Sequence, residues 1–186
     1  MVPVTSLWLP ILASAVIVFV VSAIIHMVLG YHRTDLMKAP NEDAVMEALR
    51  RLSLAPGDYG IPHPGSPAGM RDPAFIDKMA KGPITWMTIA PGKAPGMGKN
   101  LVQWFAYSIL VGFFSAYITG RALGPGANYL QVFRFVGSTA FMGYSLALLQ
   151  NSIWGMRAWS TTLKGVFDGL IFACMTAGTF GWLWPR

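Results

Sequence analysis

Asp168 is the one acidic residue inside the chain's long apolar runs, and Lys164 precedes it by four positions. A carboxylate at membrane depth is costly enough to mark a candidate functional site. On a helix the i, i+4 spacing puts both side chains on one side, within reach of an ion pair. Asp168 also falls about two turns from the start of its run, where the partial positive charge of a helix N-terminus favours an anion. A structural pair or buried hydrogen-bond anchor is the expectation; a proton- or ion-carrying role is the alternative. Arg134, in the neighbouring run, sits nearer the opposite boundary and is expected to snorkel to the headgroups.

The remaining reactive residue types are sparse. His26 lies near the end of the first apolar run, His32 just beyond it, and His63 in the hydrophilic stretch that follows. No other apolar run holds a histidine, which excludes a bis-histidine haem between two membrane helices of one chain. The spacing matches no metal-ligand pattern, so interfacial histidines, no metal and no cofactor are expected. Cys174 is the sole cysteine, so an intramolecular disulfide, a CxxC redox pair and a cysteine zinc site are all excluded. The segment Pro91-Gly92-Lys93-Ala94-Pro95-Gly96-Met97-Gly98-Lys99-Asn100 invites comparison with a phosphate-binding loop, but Lys93 occupies the required first glycine and Asn100 replaces the magnesium-binding Ser or Thr. Lys93 and Lys99 read better as a basic turn against lipid phosphates. No Ser-His-Asp, HExxH or paired-carboxylate pattern is present at motif-grade spacing.

The elements that must carry these residues are membrane helices. The chain of 186 residues is 54% hydrophobic and only 12% charged, against about 25% charged in ordinary soluble domains. Four apolar runs, about 7–30, 101–123, 129–153 and 161–184, each reach the roughly 20 residues that cross a bilayer. The predicted fold is an all-α, four-transmembrane-helix bundle forming a single membrane domain over 1–186. The first run is too long for a signal-peptide core and lacks a good cleavage site, which predicts a retained anchor. Gly124-Pro125-Gly126 closes a tight hairpin, with Asn128 as the N-cap of the next helix.

Lys and Arg crowd the loop 31–100 and the connection around Arg157 and Lys164, whereas Arg121, Arg134 and Arg186 stand alone on the other side. The bias of basic residues to the cytoplasm predicts both termini outside and the long loop inside. That loop is rich in Pro and Gly after Leu54, as in Pro62-His63-Pro64-Gly65-Ser66-Pro67, and such composition breaks regular elements. One short helix is predicted from Asn41 to about Leu54, with Val45, Leu49 and Leu52 on one side, and a second from Pro73 to Lys81. Ile84 to Ile89 is an apolar patch that fits a strand or an interfacial dip.

Small residues recur at four-residue spacing on the last three runs: Gly112, Ala116 and Gly120; Thr139, Gly143 and Ala147; Gly165, Gly169, Ala173, Ala177 and Gly181. Such stripes let helix backbones approach closely and predict packing seams.

Several phrases carry a resemblance: Pro40-Asn41-Glu42-Asp43-Ala44-Val45, Met97-Gly98-Lys99-Asn100-Leu101-Val102-Gln103-Trp104, Trp159-Ser160-Thr161-Thr162-Leu163-Lys164 and Thr176-Ala177-Gly178-Thr179-Phe180-Gly181-Trp182. They resemble those of a family of small bacterial integral membrane proteins without an assigned activity. The resemblance implies a bacterial inner membrane and brings no functional residues.

Abundant packing signal beside little ionisable chemistry points first to an accessory or scaffolding subunit, in contact with membrane lipids and with other membrane subunits or copies of itself. A formal charge of +6 beside membrane helices reads as cytoplasmic-face bias, not nucleic-acid binding. The alternative is a small oligomeric transporter or proton-linked channel using Asp168. A lipid-modifying enzyme using Asp168, His26 or His63 ranks third, so the chain is not expected to be an enzyme.

Overall fold

A computed structural model describes residues 1–92 and 96–186, so Lys93 lies outside the described residues. The chain divides into two compact units, Met1–Leu36 with Gly96–Arg186, and Met37–Pro95.

The first unit is an all-α bundle with four membrane-spanning helices, at Val4–Met27, Met97–Ala122, Tyr129–Ile153 and Trp159–Leu183. Within these, α1 covers Trp8–Met27 after a 3-10 turn. The numbering below follows chain order, so α4 is Met97–Ala122, α5 Tyr129–Tyr144, α6 Leu149–Ile153 and α7 Trp159–Leu183. Helix α7 packs on α1 and α5, and α4 closes the ring by packing on the same two. Asn128 caps α5 as its residue type predicts, in a full capping box: its side chain accepts from the Gln131 N–H, and Gln131 accepts from the Asn128 N–H.

The interior has two apolar clusters. One gathers Leu7, Ile11, Val132, Val136, Phe180 and Trp184; the other gathers Val18, Ile25, Val111, Ala140, Tyr144 and Phe172. Lipid tails are as apolar as these side chains, so close packing and interhelical hydrogen bonds hold such helices together more than exclusion of water does. Trp104 supplies one such bond, donating from Nε1 to Ser22 Oγ at 2.9 Å across α4 and α1.

The small residues mark the points of closest approach inside this unit. Gly112 lies against Ile11, Gly120 against the backbone of Val2, Gly143 against Val111, Gly165 against Leu148, and Gly181 against the Tyr129 ring. Ala116, Ala173 and Ala177 are buried in the two clusters. Gly169 is the tightest: a Cβ there would overlap Ser145 Oγ and stand 3.1 Å from Tyr144. The stripe on the third span is interrupted. The run expected as one continuous helix from 129 to 153 leaves α-helical geometry at Ser145, passes through a 3-10 turn at Leu146–Leu148 and resumes as α6. Ala147, on that turn, is exposed.

The second unit holds α2 (Glu42–Leu52), α3 (Pro73–Lys81) and a two-stranded antiparallel sheet of β1 (Gly57–Ile61) and β2 (Thr85–Ile89). Gly57 pairs with Ile89 and Ile61 with Thr85. The α2 N-cap is Asn41, whose side chain accepts from the Ala44 N–H; Asp72 caps α3 in the same manner. The 84–89 patch is thus a strand, and its partner β1 lies in the Pro/Gly-rich stretch. No described residue of this unit is buried.

Candidate functional site

A cluster of polar side chains forms in the first unit, where α1 ends and α7 begins. Gly30 sets it up. It adopts φ +66°, which a residue with a Cβ rarely does, and turns the chain from the end of α1 into a 3-10 turn at Tyr31–Thr34. That turn brings Tyr31 and His32 onto α7. The Tyr31 hydroxyl donates to Asp168 Oδ1, and His32 Nε2 lies 2.7 Å from Asp168 Oδ2. Asp168 is 3% exposed.

Lys164 is aligned differently from the pairing its spacing suggests. Its Nζ donates to the Tyr31 carbonyl at 2.7 Å, to Thr34 Oγ1 at 2.9 Å and to Asp35 Oδ1 at 2.9 Å. Among the described residues Lys164 forms its ion pair with Asp35 and none with Asp168. The physical reason is the Gly30 turn, which supplies a carboxylate and two further acceptors nearer to the ammonium than the neighbour on its own helix. The second oxygen of Asp35 accepts from His32 Nδ1 at 2.6 Å. The hydrogen bond from His32, followed by that from Lys164, holds the Asp35 carboxyl below the usual carboxylate range. Burial and the hydrogen bond to Asp168 push the Tyr31 phenol up, so Tyr31 is a donor here at any ordinary pH.

His26 completes the group. Its Nδ1 bonds the Ser22 carbonyl at 2.9 Å, and its ring stacks on His32 with centroids 4.6 Å apart and planes 7° from parallel. One donor atom each from His26, His32 and Asp168 lie within 4.8 Å of one another. A cavity of about 210 Å³ opens beside them, lined also by Asn151, Arg157, Thr161 and Thr162.

The structure therefore brings Asp168 together with His26 and His32, and leaves Lys164 one step removed through Asp35. Lys99 is exposed in the first turn of α4 and joins none of this. His63 lies in the second unit, where its Nδ1 accepts from the Gly65 N–H. Tyr31 and Asp35 are the participants that sequence reasoning did not single out, and His32 was expected only as an interfacial histidine. The available signal was Gly30 followed by a dense polar run, Tyr31-His32-Arg33-Thr34-Asp35, directly after a membrane span.

No family model, curated protein or solved structure matches the chain. Fold and site define it as a multi-pass, all-α membrane protein with a His–Asp–Tyr cluster around a buried Asp168 at one end of its bundle.

Proposed function

We infer that this chain is an accessory subunit of a membrane assembly, in the bacterial inner membrane, with both termini outside and the segment 37–95 on the cytoplasmic side. The orientation is supported by the Lys and Arg distribution between the spans, and the bacterial setting by the family resemblance.

One observation carries the accessory role: a segment with defined helices, caps and a sheet buries none of its described residues. A fold of this size gains stability from apolar burial, and one without a core depends on another surface to supply it. The apolar side chains available for that are Val45 and Met46 on α2, Leu52 at its end, Ile76 on α3 and Trp86 on β2, each at least 46% exposed. The occupant is a protein, because the charge pattern does not suit anionic lipid. Lys38, Arg50, Arg51, Arg71, Lys78, Lys81 and Lys93 stand beside Glu42, Asp43, Glu47, Asp58, Asp72 and Asp77, seven basic residues against six acidic ones. Several of these neutralise one another locally, as in Lys81 with Asp77 at 2.6 Å and Arg50 and Arg51 with Glu47 at 3.2 Å each. A lipid-binding patch needs clustered, unmatched Lys and Arg. The glycines of the transmembrane stripes already lie against the chain's own residues, which favours this segment as the partner seat.

Purification in mild detergent is expected to yield a second protein at fixed stoichiometry, and Val45→Glu with Leu52→Glu should release it while the remaining protein keeps its helical content. Recovery of the chain alone, or equal retention of the partner by the double variant, overturns the reading. Orientation is checked by thiol labelling in a Cys174→Ala background. A cysteine at Pro125 should react from outside and one at Ser66 should not.

A further inference from the structure

We propose that His26, His32 and Asp168 form a binding site for a divalent transition-metal ion of the Zn²⁺ or Fe²⁺ class. The proposal stands apart from the accessory role, since it uses no residue of the segment 37–95.

The tautomers come first. A backbone carbonyl can only accept, so the 2.9 Å contact with Ser22 O places a proton on His26 Nδ1, and in the neutral ring that puts the lone pair on Nε2. The Asp35 carboxylate does the same for His32, accepting from Nδ1 at 2.6 Å. Metal-bound histidines are held in this manner, with the non-ligating nitrogen donating to a carboxylate or a carbonyl, which orients the ring and raises its basicity. Here both histidines have that support, and Lys164 in turn fixes Asp35 at 2.9 Å. Tyr31 holds the other oxygen of Asp168 through its hydroxyl, leaving Oδ2 as the free ligand atom.

The contact between His32 and Asp168 points to the same ion. Among the described residues the buried Nε2 has no hydrogen-bond partner, although Oδ2 is only 2.7 Å from it. At that separation only the angle can fail, so the oxygen lies beside the ring's Nε2 axis and not along it. A lone pair next to a carboxylate oxygen is repulsive unless a cation sits between them. A proton shared by the two would need an in-line arrangement. Two ligands of one metal ion lie side by side instead: donor distances of about 2.0–2.2 Å at tetrahedral angles put them about 3.3–3.6 Å apart. The pair needs to open only slightly to reach that spacing. His26 must also turn its ring out of the stack with His32, whose plane lies 7° from its own, to aim Nε2 at the same ion; its exposed place in the last turn of α1 leaves room for that turn.

Ligand chemistry sets the class of ion. Two imidazoles with one carboxylate suit Zn²⁺, Fe²⁺, Co²⁺ or Mn²⁺, whereas Mg²⁺ and Ca²⁺ prefer oxygen alone and Cu⁺ prefers sulfur. Three protein ligands leave a coordination position open toward the cavity beside them, where Thr161 and Thr162 supply polar walls.

The test uses full-length protein without a histidine tag, purified in detergent, treated with chelator and titrated with Co²⁺, whose visible bands report nitrogen and oxygen coordination. Saturation at one ion per chain, with displacement by Zn²⁺, is expected. His32→Ala and Asp168→Asn should abolish the bands, and Asp35→Asn should weaken binding about 10- to 100-fold through loss of the orienting carboxylate. His63→Ala should bind as the wild type does. His26→Ala is the decisive variant, because its exposed ring can be removed without opening the core. The proposal is overturned if folded wild type shows no saturable Co²⁺ or Zn²⁺ binding, or if His26→Ala binds with unchanged affinity.

Discussion

The bundle and the segment 37–92 are built from the same vocabulary of capped helices and tight turns, yet only the bundle buries side chains. In the bundle every stripe that the sequence marks as special meets a partner within the chain: Gly112 finds Ile11, Gly143 finds Val111 and Gly181 finds Tyr129. Across the segment, the amphipathic face of α2 keeps Val45 49% exposed and Leu52 64% exposed. Local order therefore does not require a local core. Caps at Asn41 and Asp72 and the β1–β2 ladder satisfy backbone groups in either setting, but they leave apolar side chains for another surface to cover.

Substitutions can break this contrast. The largest effect is expected at Gly169→Leu, where even a Cβ would overlap Ser145 Oγ and crowd the Tyr144 carbonyl at 3.1 Å. Overpacking there should cost about 3 kcal/mol or more, seen as loss of the monodisperse species in detergent gel filtration and a large fall in melting temperature. Leu170→Ile, at a position 46% exposed, should leave both measurements unchanged, and equal behaviour of the two would remove the claim that the stripe is a seam.

Next in size is Asn128→Ala, which removes a full capping box at the start of α5 and should lower stability by about 1 kcal/mol. Asn128→Ser should restore most of it, because the hydroxyl accepts the same N–H. Trp104→Phe follows. It deletes the 2.9 Å bond to Ser22 while keeping an aromatic ring against Tyr144 and Phe172, and membrane hydrogen bonds average about 0.6 kcal/mol. Thermal unfolding in detergent would read both.

Smallest of all is Leu52→Glu measured on the isolated chain, where no buried contact is lost and the change should stay within about 0.5 kcal/mol. A destabilisation approaching that of Gly169→Leu would mean that the segment has a core after all. Read together with partner retention, the same substitution separates a docking face from a merely solvated one.

The sequence alone determined the membrane class, the four spans to within a few residues, the Asn128 cap, and helices α2 and α3. These follow from hydropathy and capping, which depend on neighbours a few positions away along the chain. The break at Ser145 was invisible because the residues around it are as apolar as the rest of the span; it coincides with a contact to α7, whose Val166 carbonyl accepts from Ser145 Oγ at 3.2 Å. Strand β1 was equally hidden, since Gly57–Ile61 has no alternating pattern and exists by pairing with β2. The site depended most on tertiary structure. Tyr31 and Asp168 are 137 positions apart, and no periodicity links them. The i, i+4 rule brought Lys164 within reach of Asp168, but a helix surface only makes such a pair available. The turn at Gly30 offered Lys164 three acceptors and gave Asp168 a histidine and a tyrosine instead. Which partner a buried charge takes is decided by the geometry of everything packed around it, and that geometry is not written in any one segment.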